Sequence, residues 1–307
     1  MATTETTQIQ EAGPVARAAR QGIFGRITPS SRFYWLRILS RNKVAVSSAI
    51  FLLVLIAMAV AAPVVTRHDP TYLNPGVRLQ GMSSEYWFGT DGNGSDVYAR
   101  IIYGARVSLL VGLSVTLIAA LAGTVLGLLS GYYKRLDSPI MRVMDGMMAF
   151  PSILLAIAIM ASLGPSTVNV IVALGVVYTP SIARLMRGMT LSMKNQLYVE
   201  SARAIGARDH LILRRYVFPN VLSPLIVQCT FVVALAIIAE ASLSFLGAGV
   251  PPETPTWGNM LREGQRFVQV AWWLAAFPGL ALFLLVLALN LLGDGLRDAL
   301  DPRMRIR

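Results

Sequence analysis

Six long apolar runs constrain this chain more than anything else in it. Residues 44–65, 107–131, 146–163, 167–186, 222–246 and 273–292 each approach or exceed the ~20 residues a helix needs to cross a bilayer. Inside hydrocarbon every backbone N–H and C=O has to be paired within the segment, so runs of this length form helices. The fold class that follows is an all-α integral membrane protein with six transmembrane helices. At 55% hydrophobic and 14% charged over 307 residues, the composition fits no ordinary soluble domain.

The stretches between the runs divide the chain further. Residues 1–43 form a tail whose first 30 positions, rich in Thr, Gln, Ala and Gly, carry no signal for fixed structure. In 31–43, Phe33, Tyr34, Trp35, Leu36 and Leu39 alternate with Arg32, Arg37 and Arg41, which predicts a short interfacial helix or a basic aromatic flank. Ala59-Val60-Ala61 resembles a signal-peptidase site. The 43 residues before the run and its length both argue for an uncleaved span instead. Residues 66–106 read as a polar extracytoplasmic loop, with Asp96 placed to cap a helix whose Tyr98, Ile101 and Ile102 form an apolar edge.

Gly123, Gly127 and Gly131 recur every four residues in the second run, a spacing that lets a neighbouring helix approach closely. Gly164-Pro165 makes a tight turn between the third and fourth runs, and Pro151 and Pro180 predict kinks. Residues 247–272 form a second extracytoplasmic loop, in which Pro251, Pro252 and Pro255 end the fifth span and Trp257 begins a helix outside the membrane. Residues 293–307 are a basic tail.

Charge sets the orientation. The net charge of +11 lies in short flanks rather than in a basic domain, which argues for membrane lipid and against nucleic acid. With the beginning inside, the outer loops hold six of the 27 Lys and Arg (Arg67, Arg78, Arg100, Arg106, Arg262 and Arg266), and the inner segments hold the rest. Both termini are then cytoplasmic, and so is the loop 187–221.

No catalytic constellation is present in the sequence. There is no G-x-x-x-x-G-K-[ST] phosphate loop, no G-x-S-x-G elbow and no H-E-x-x-H metal pair. Cys229 is the only cysteine, and His68 and His210 stand far apart with no cysteines beside them, so neither a disulfide nor a metal site is expected. Glu240 is the one acidic residue well inside a run, which makes it, with Asn290, a candidate for a polar pathway. The alternative is a structural hydrogen bond to a neighbouring helix through Ser242 or Asn290. Asp145, Asp294 and Asp298, near the inner ends of spans, are expected to cap helices or pair with Arg142 and Arg297.

The polar stretch 200–219 reads as a helical hairpin. A helix over 194–205 ends at Gly206, Asp209 caps a second short helix, and Pro219 comes where that helix must end. Arg203, Arg208, Arg214 and Arg215 alternate with Ile205, Leu211, Leu213 and Val217, so an apolar face needs a partner groove or a lipid surface.

Glu200, Ala202, Gly206 and Pro219 fall where ABC importer permeases carry Glu-Ala-Ala, a glycine and a Leu-Pro pair in their cytoplasmic loop, with Ser201, Tyr216 and Phe218 as departures. The segments WFGTDGNGSDVYARIIYGARVSL, ASLSFLGAG and LNLLGDGLRDALDPR extend the likeness over residues 32–303. The chain thus resembles the second permease subunit of dipeptide, oligopeptide, glutathione and nickel importers. That resemblance implies a type I ABC importer permease fold in the bacterial inner membrane. It also implies a homologous permease as heterodimer partner, two ATPase subunits that carry ATP and Mg, and an extracytoplasmic solute-binding protein. This chain itself would bind no cofactor.

The resemblance makes Glu200, Ala202, Arg203, Gly206, Asp209, Leu211, Leu213, Tyr216 and Pro219 the ATPase docking loop. Leu211, Leu213 and Tyr216 would fill the partner's groove, and Glu200 would pair across the interface or with Arg203 or Arg208. Residues 87–106 and 251–267 would receive the binding protein. An ion-gradient-driven transporter or channel is the alternative; it accommodates Glu240 but leaves 200–219 without a reason.

Overall fold

The structure, a computed structural model, describes residues 39–300. The expected tail 1–30, most of the interfacial segment 31–43 and the basic end 301–307 lie outside the described residues. Among those described, regular structure is helical apart from one isolated bridge between Thr90 and Asp96.

Helix α1 (Lys43–Val60) starts where the Asn42 side chain accepts from the Val44 and Ala45 N–H groups at 3.1 Å. It stops at Ala61, and Pro63 opens the one-turn helix α2 (Ala62–Val65), so the run 44–65 is not one helix. A 3₁₀ turn (Pro75–Val77) follows in the loop before the next long helix.

Helix α3 (Val97–Tyr132) is 36 residues long, or about 54 Å at 1.5 Å per residue. It begins ten residues before the apolar run 107–131. The Asp96 carboxylate caps it by accepting from the Tyr98 N–H at 2.9 Å. The boundary drawn at residue 106 followed hydropathy, and helix geometry ignores it.

The third expected span is the main correction. Residues 146–163 are split between α4 (Lys134–Met148) and α5 (Ser152–Leu163), which meet at 93°. Pro151 does more than kink the chain. It occupies the N-cap of α5 with an extended ψ of 129°, and the helix restarts from it in a new direction. Alone, α5 has 12 residues, about 18 Å, well short of the bilayer core.

After the Gly164 turn come α6 (Thr167–Met193), α7 (Leu197–Ala204) and α8 (Asp209–Ile212). A π-helical turn (Leu213–Val217) leads into α9 (Phe218–Leu246), and α10 (Trp257–Phe267) and α11 (Trp273–Leu300) complete the chain. Five helices among the described residues are long and apolar enough to cross a membrane, and the bent α4–α5 pair makes six if it counts as one span.

The bundle is held by two contrasting faces of α3. Leu110, Leu113, Leu117, Leu121 and Val125 are exposed along one side, a surface suited to lipid or to a partner helix. On the other side Gly123, Gly127 and Gly131 lie against α6. A Cβ added at Gly123 would stand 2.7 Å from the Ile182 Cβ, and one at Gly131 would stand 2.6 Å from the Thr190 Cβ. Lipid is as apolar as leucine, so close packing of this kind holds the helices together where hydrophobic burial cannot.

At the opposite end of α3, Trp257 of α10 is fully buried, and its indole N–H donates to the Ile101 carbonyl at 3.0 Å. The Pro180 inside α6 is accommodated without ending that helix.

Gly127 offers the sharpest test of the α3–α6 contact. A Cβ there would come within 2.5 Å of the Ala183 carbonyl oxygen and the Met186 Cβ. Gly127→Val should cost ~1–3 kcal/mol or more through overpacking. Gly146→Ala, in open space, should be neutral or slightly stabilising. Thermal unfolding in detergent checks both, and equal midpoints for the two variants would count against the packing role.

Candidate functional site

The hairpin between α6 and α9 is built by backbone signals first. α7 ends in a Schellman motif: the Gly206 N–H donates to the Arg203 carbonyl and the Ala207 N–H to the Ala202 carbonyl, both at 3.0 Å. Gly206 takes φ +82° with nothing within 4 Å of where a Cβ would be, so only its backbone conformation requires glycine. Helix α6 runs to Met193, which moves the start of the next helix from 194 to Leu197.

Two local assignments change. Asp209 does not cap α8: Arg208 holds the N-cap, while the Asp209 carboxylate accepts from the Tyr132 hydroxyl at 2.7 Å. The Arg203 guanidinium lies 5.8 Å from the centroid of the same Tyr132 ring. The hairpin is therefore tied to the end of α3, and the competition for Asp209 is won by a residue 77 positions away.

Pro219 does not end a helix either. Residues Asp209–Leu246 form one continuous rod, and the π turn absorbs the proline. The Phe218 N–H reaches back to the Leu213 carbonyl, and the widened turn makes room for a ring with no N–H to give.

Burial sorts the hairpin's apolar residues. Val199, Ala202, Ile212 and Val217 point into the protein, and Leu213 and Tyr216 pack partly against the same core. Of the expected groove-filling trio, only Leu211 is clearly available, at 40% exposure. Leu197 and Ile205 are far more exposed, at 80% and 83%. The signal for Leu197 was there: with Val199 inward, a residue two positions earlier points roughly 160° away on a helix. Glu200 is exposed and forms no ion pair among the described residues, with Arg203 or otherwise.

Glu240 is fully buried and bonded. The Ser108 hydroxyl donates to its Oε2 at 3.2 Å and the Ser244 hydroxyl to its Oε1 at 2.9 Å, with Thr256 also in reach. Neither expected partner takes part: Ser242 donates to Ile238 O, and Asn290 donates to Val286 O in its own helix. Glu240 sits about 9 Å from the Leu246 end of α9 and Asn290 about 26 Å along α11 from Trp273, so the two are not brought together. Asp145 pairs with Arg184 at 2.7 Å rather than with Arg142, and Asp294 and Asp298 form no ion pair with Arg297.

Segments 87–106 and 251–267 do meet. Arg100 of α3, 8% exposed, pairs with Asp91 of the loop before α3 and with Glu263 of α10 at 3.3 Å. Asp91 also accepts from the Asn93 and Ser95 N–H groups at 2.8 Å, and the Gly92 N–H donates to Glu263 at 3.0 Å. This knot floors a cleft of about 490 Å³ rimmed by Arg78, Arg262 and Arg266.

Burial, helped by nearby Asp91, pushes the Glu263 carboxyl above its ordinary value despite Arg100 and the Gly92 N–H. A carboxyl raised on folding contributes stability that is full below the unfolded pKa, near 4.5, and is lost as pH rises through the folded pKa. Glu263→Gln should flatten that decline in thermal unfolding between about pH 4 and 7. An identical pH slope in both proteins would show that Glu263 is not the titrating group.

Comparison with known proteins agrees with this geometry over most of the chain. Residues 123–306 match the binding-protein-dependent transport system inner membrane component, and residues 33–81 match the N-terminal TM domain of oligopeptide transport permease C. A dipeptide transport system permease of Alkalihalophilus pseudofirmus is 45% identical, over 87% of this chain and 88% of that one. A glutathione transport system permease of Pectobacterium atrosepticum is 46% identical, over 89% of this chain and 91% of its own length. The chain belongs to the binding-protein-dependent inner-membrane permeases of ABC importers, a multi-pass translocation component with no catalytic site of its own.

Proposed function

We propose that this permease moves short peptides, glutathione or similar small solutes inward. In this reading it pairs with a homologous permease and is driven by two ATPase subunits. ATP and Mg bind on those subunits, and this chain binds no cofactor. An extracytoplasmic solute-binding protein delivers the solute to the outer cleft between 87–106 and 251–267. The named relatives support the substrate class. The asymmetry of Lys and Arg supports an orientation with both termini and the hairpin in the cytoplasm.

One observation carries the coupling role. Leu197, Ile205 and Leu211 are exposed on a hairpin whose opposite face is fixed in the bundle through Val199, Ile212 and Tyr132. Large apolar side chains held rigidly in water, away from the lipid-facing runs, are what a partner's groove would cover. Glu240 favours this reading over a gradient-driven transporter, because its carboxylate is sealed between two serines rather than open to a pathway.

Purification of the tagged chain in mild detergent, with its partners identified by mass spectrometry, tests the assembly. A second permease and ATPase subunits are expected, and a chain that purifies alone from cells expressing its neighbours would overturn the reading. Ile205→Glu combined with Leu211→Glu should strip the ATPase subunits while leaving the permease pair intact. Gly206→Val should strain the turn by ~1–3 kcal/mol, keep the complex assembled and uncouple ATP hydrolysis from uptake. Unchanged uptake per ATP in that variant would remove the turn from the mechanism.

A further inference from the structure

At the hairpin end of the bundle, α6, α9 and α11 leave an open pocket of about 620 Å³ between them. That volume lies within the ~300–1,000 Å³ common to small-molecule sites. Its walls are apolar and adaptable. Met189 and Met193 line it from α6 and Phe231 from α9, and methionine fits varied shapes better than any branched side chain.

The polar groups in it are few and unspent. Arg297, near the end of α11, lines the pocket and forms no ion pair among the described residues. Gln228 makes no hydrogen bond there, so its amide is free both to donate and to accept. Asn220 gives its Nδ2 to the Tyr216 carbonyl at 2.6 Å, which leaves its Oδ1 as an acceptor. Pro224 stands inside α9 without an N–H, so the Asn220 carbonyl lacks its helical donor on the same wall.

One exposed cation with no ion pair among the described residues, a free amide and two free acceptors on shape-tolerant walls are the complement of a short peptide. We propose that this pocket binds short peptides, with the terminal carboxylate on Arg297, the backbone amides on Gln228 and Asn220, and side chains among the methionines. The proposal rests on the peptide-importer reading and adds a site on the hairpin side of the bundle, where solute arrives after crossing. A lipid tail is the poorer occupant, since it would leave Gln228 and the Asn220 carbonyl unpaired in hydrocarbon. A partner helix is poorer too, because its backbone amides are already paired within the helix and leave Gln228 and Asn220 to its side chains alone.

The test uses the purified importer complex in proteoliposomes and a photoreactive dipeptide, benzoylphenylalanyl-alanine. Label should map by mass spectrometry to the segments holding Met189, Met193 and Phe231. Its C-terminal amide should label the unaltered protein about tenfold less, as loss of a charge-assisted bond requires. Arg297→Gln should reduce labelling by the free acid to a similar degree and leave the weak labelling by the amide unchanged. Label confined to other segments, equal labelling by acid and amide, or displacement by phosphatidylglycerol but not by unlabelled dipeptide would each overturn the site. ATP hydrolysis stimulated by the binding protein, measured on the same preparation, separates the two levels. If stimulation persists while the label goes elsewhere, the site fails and the importer reading stands.

Discussion

The contact on which the rest depends is the seam between α3 and α6. Within a bilayer, burying leucine gains nothing, so these two helices are held by how closely their backbones approach. Three glycines on α3 make that approach possible, since any side chain there would collide with Ile182, Met186 or Thr190. A polar bond closes the same seam at its hairpin end, where Lys194 donates to the Gly131 carbonyl at 2.9 Å, and Arg187 of α6 ties in the start of α4 through Asp137 at 2.7 Å. With that seam fixed, α3 becomes a strut rather than one helix among several.

The strut is anchored at each end. Near its start Arg100 gathers the preceding loop and α10, and at its finish Tyr132 holds Asp209 and Arg203 of the hairpin. These points are separated by 32 residues of one helix, about 48 Å. A displacement at the hairpin therefore has a stiff route to the Arg100 cleft that involves no loop. The second route is the Asp209–Leu246 rod, in which the hairpin's second helix is the same body as a span. Both connections suit a subunit whose work is mechanical.

Local signals in the sequence carried a good part of this, and distant partners carried the rest. The Asp96 cap and the Gly206 turn are legible because each is decided within four residues by backbone geometry. Asp209 and Pro219 carry the same kinds of signal, but there the outcome is set elsewhere. A tyrosine 77 residues away takes the carboxylate, and a π turn accommodates the ring. Hydropathy located the apolar runs and misplaced their helices, extending α3 too little and joining α4 to α5 where a 93° bend divides them. The Arg100–Glu263 pair, 163 residues apart, left no trace a single sequence would show.

The same logic explains where free polarity remains. A carboxylate inside the bundle is tolerable only when its oxygens are occupied, and Glu240 meets that condition with two hydroxyls drawn from α3 and from its own helix. Thr116, Thr179 and Thr190 likewise return their hydroxyls to carbonyls four residues back, at 2.7–2.8 Å. Thr124 of α3 is the exception, a buried hydroxyl with no hydrogen-bond partner among the described residues. Charged and amide side chains line the two ends, with Arg78, Arg262 and Arg266 around the Arg100 cleft and Arg297, Gln228 and Asn220 around the pocket at the hairpin. For a solute with charged termini, a stretch that offers no polar partners raises the cost of passing between those ends, because each charge must give up its partners before it gains new ones.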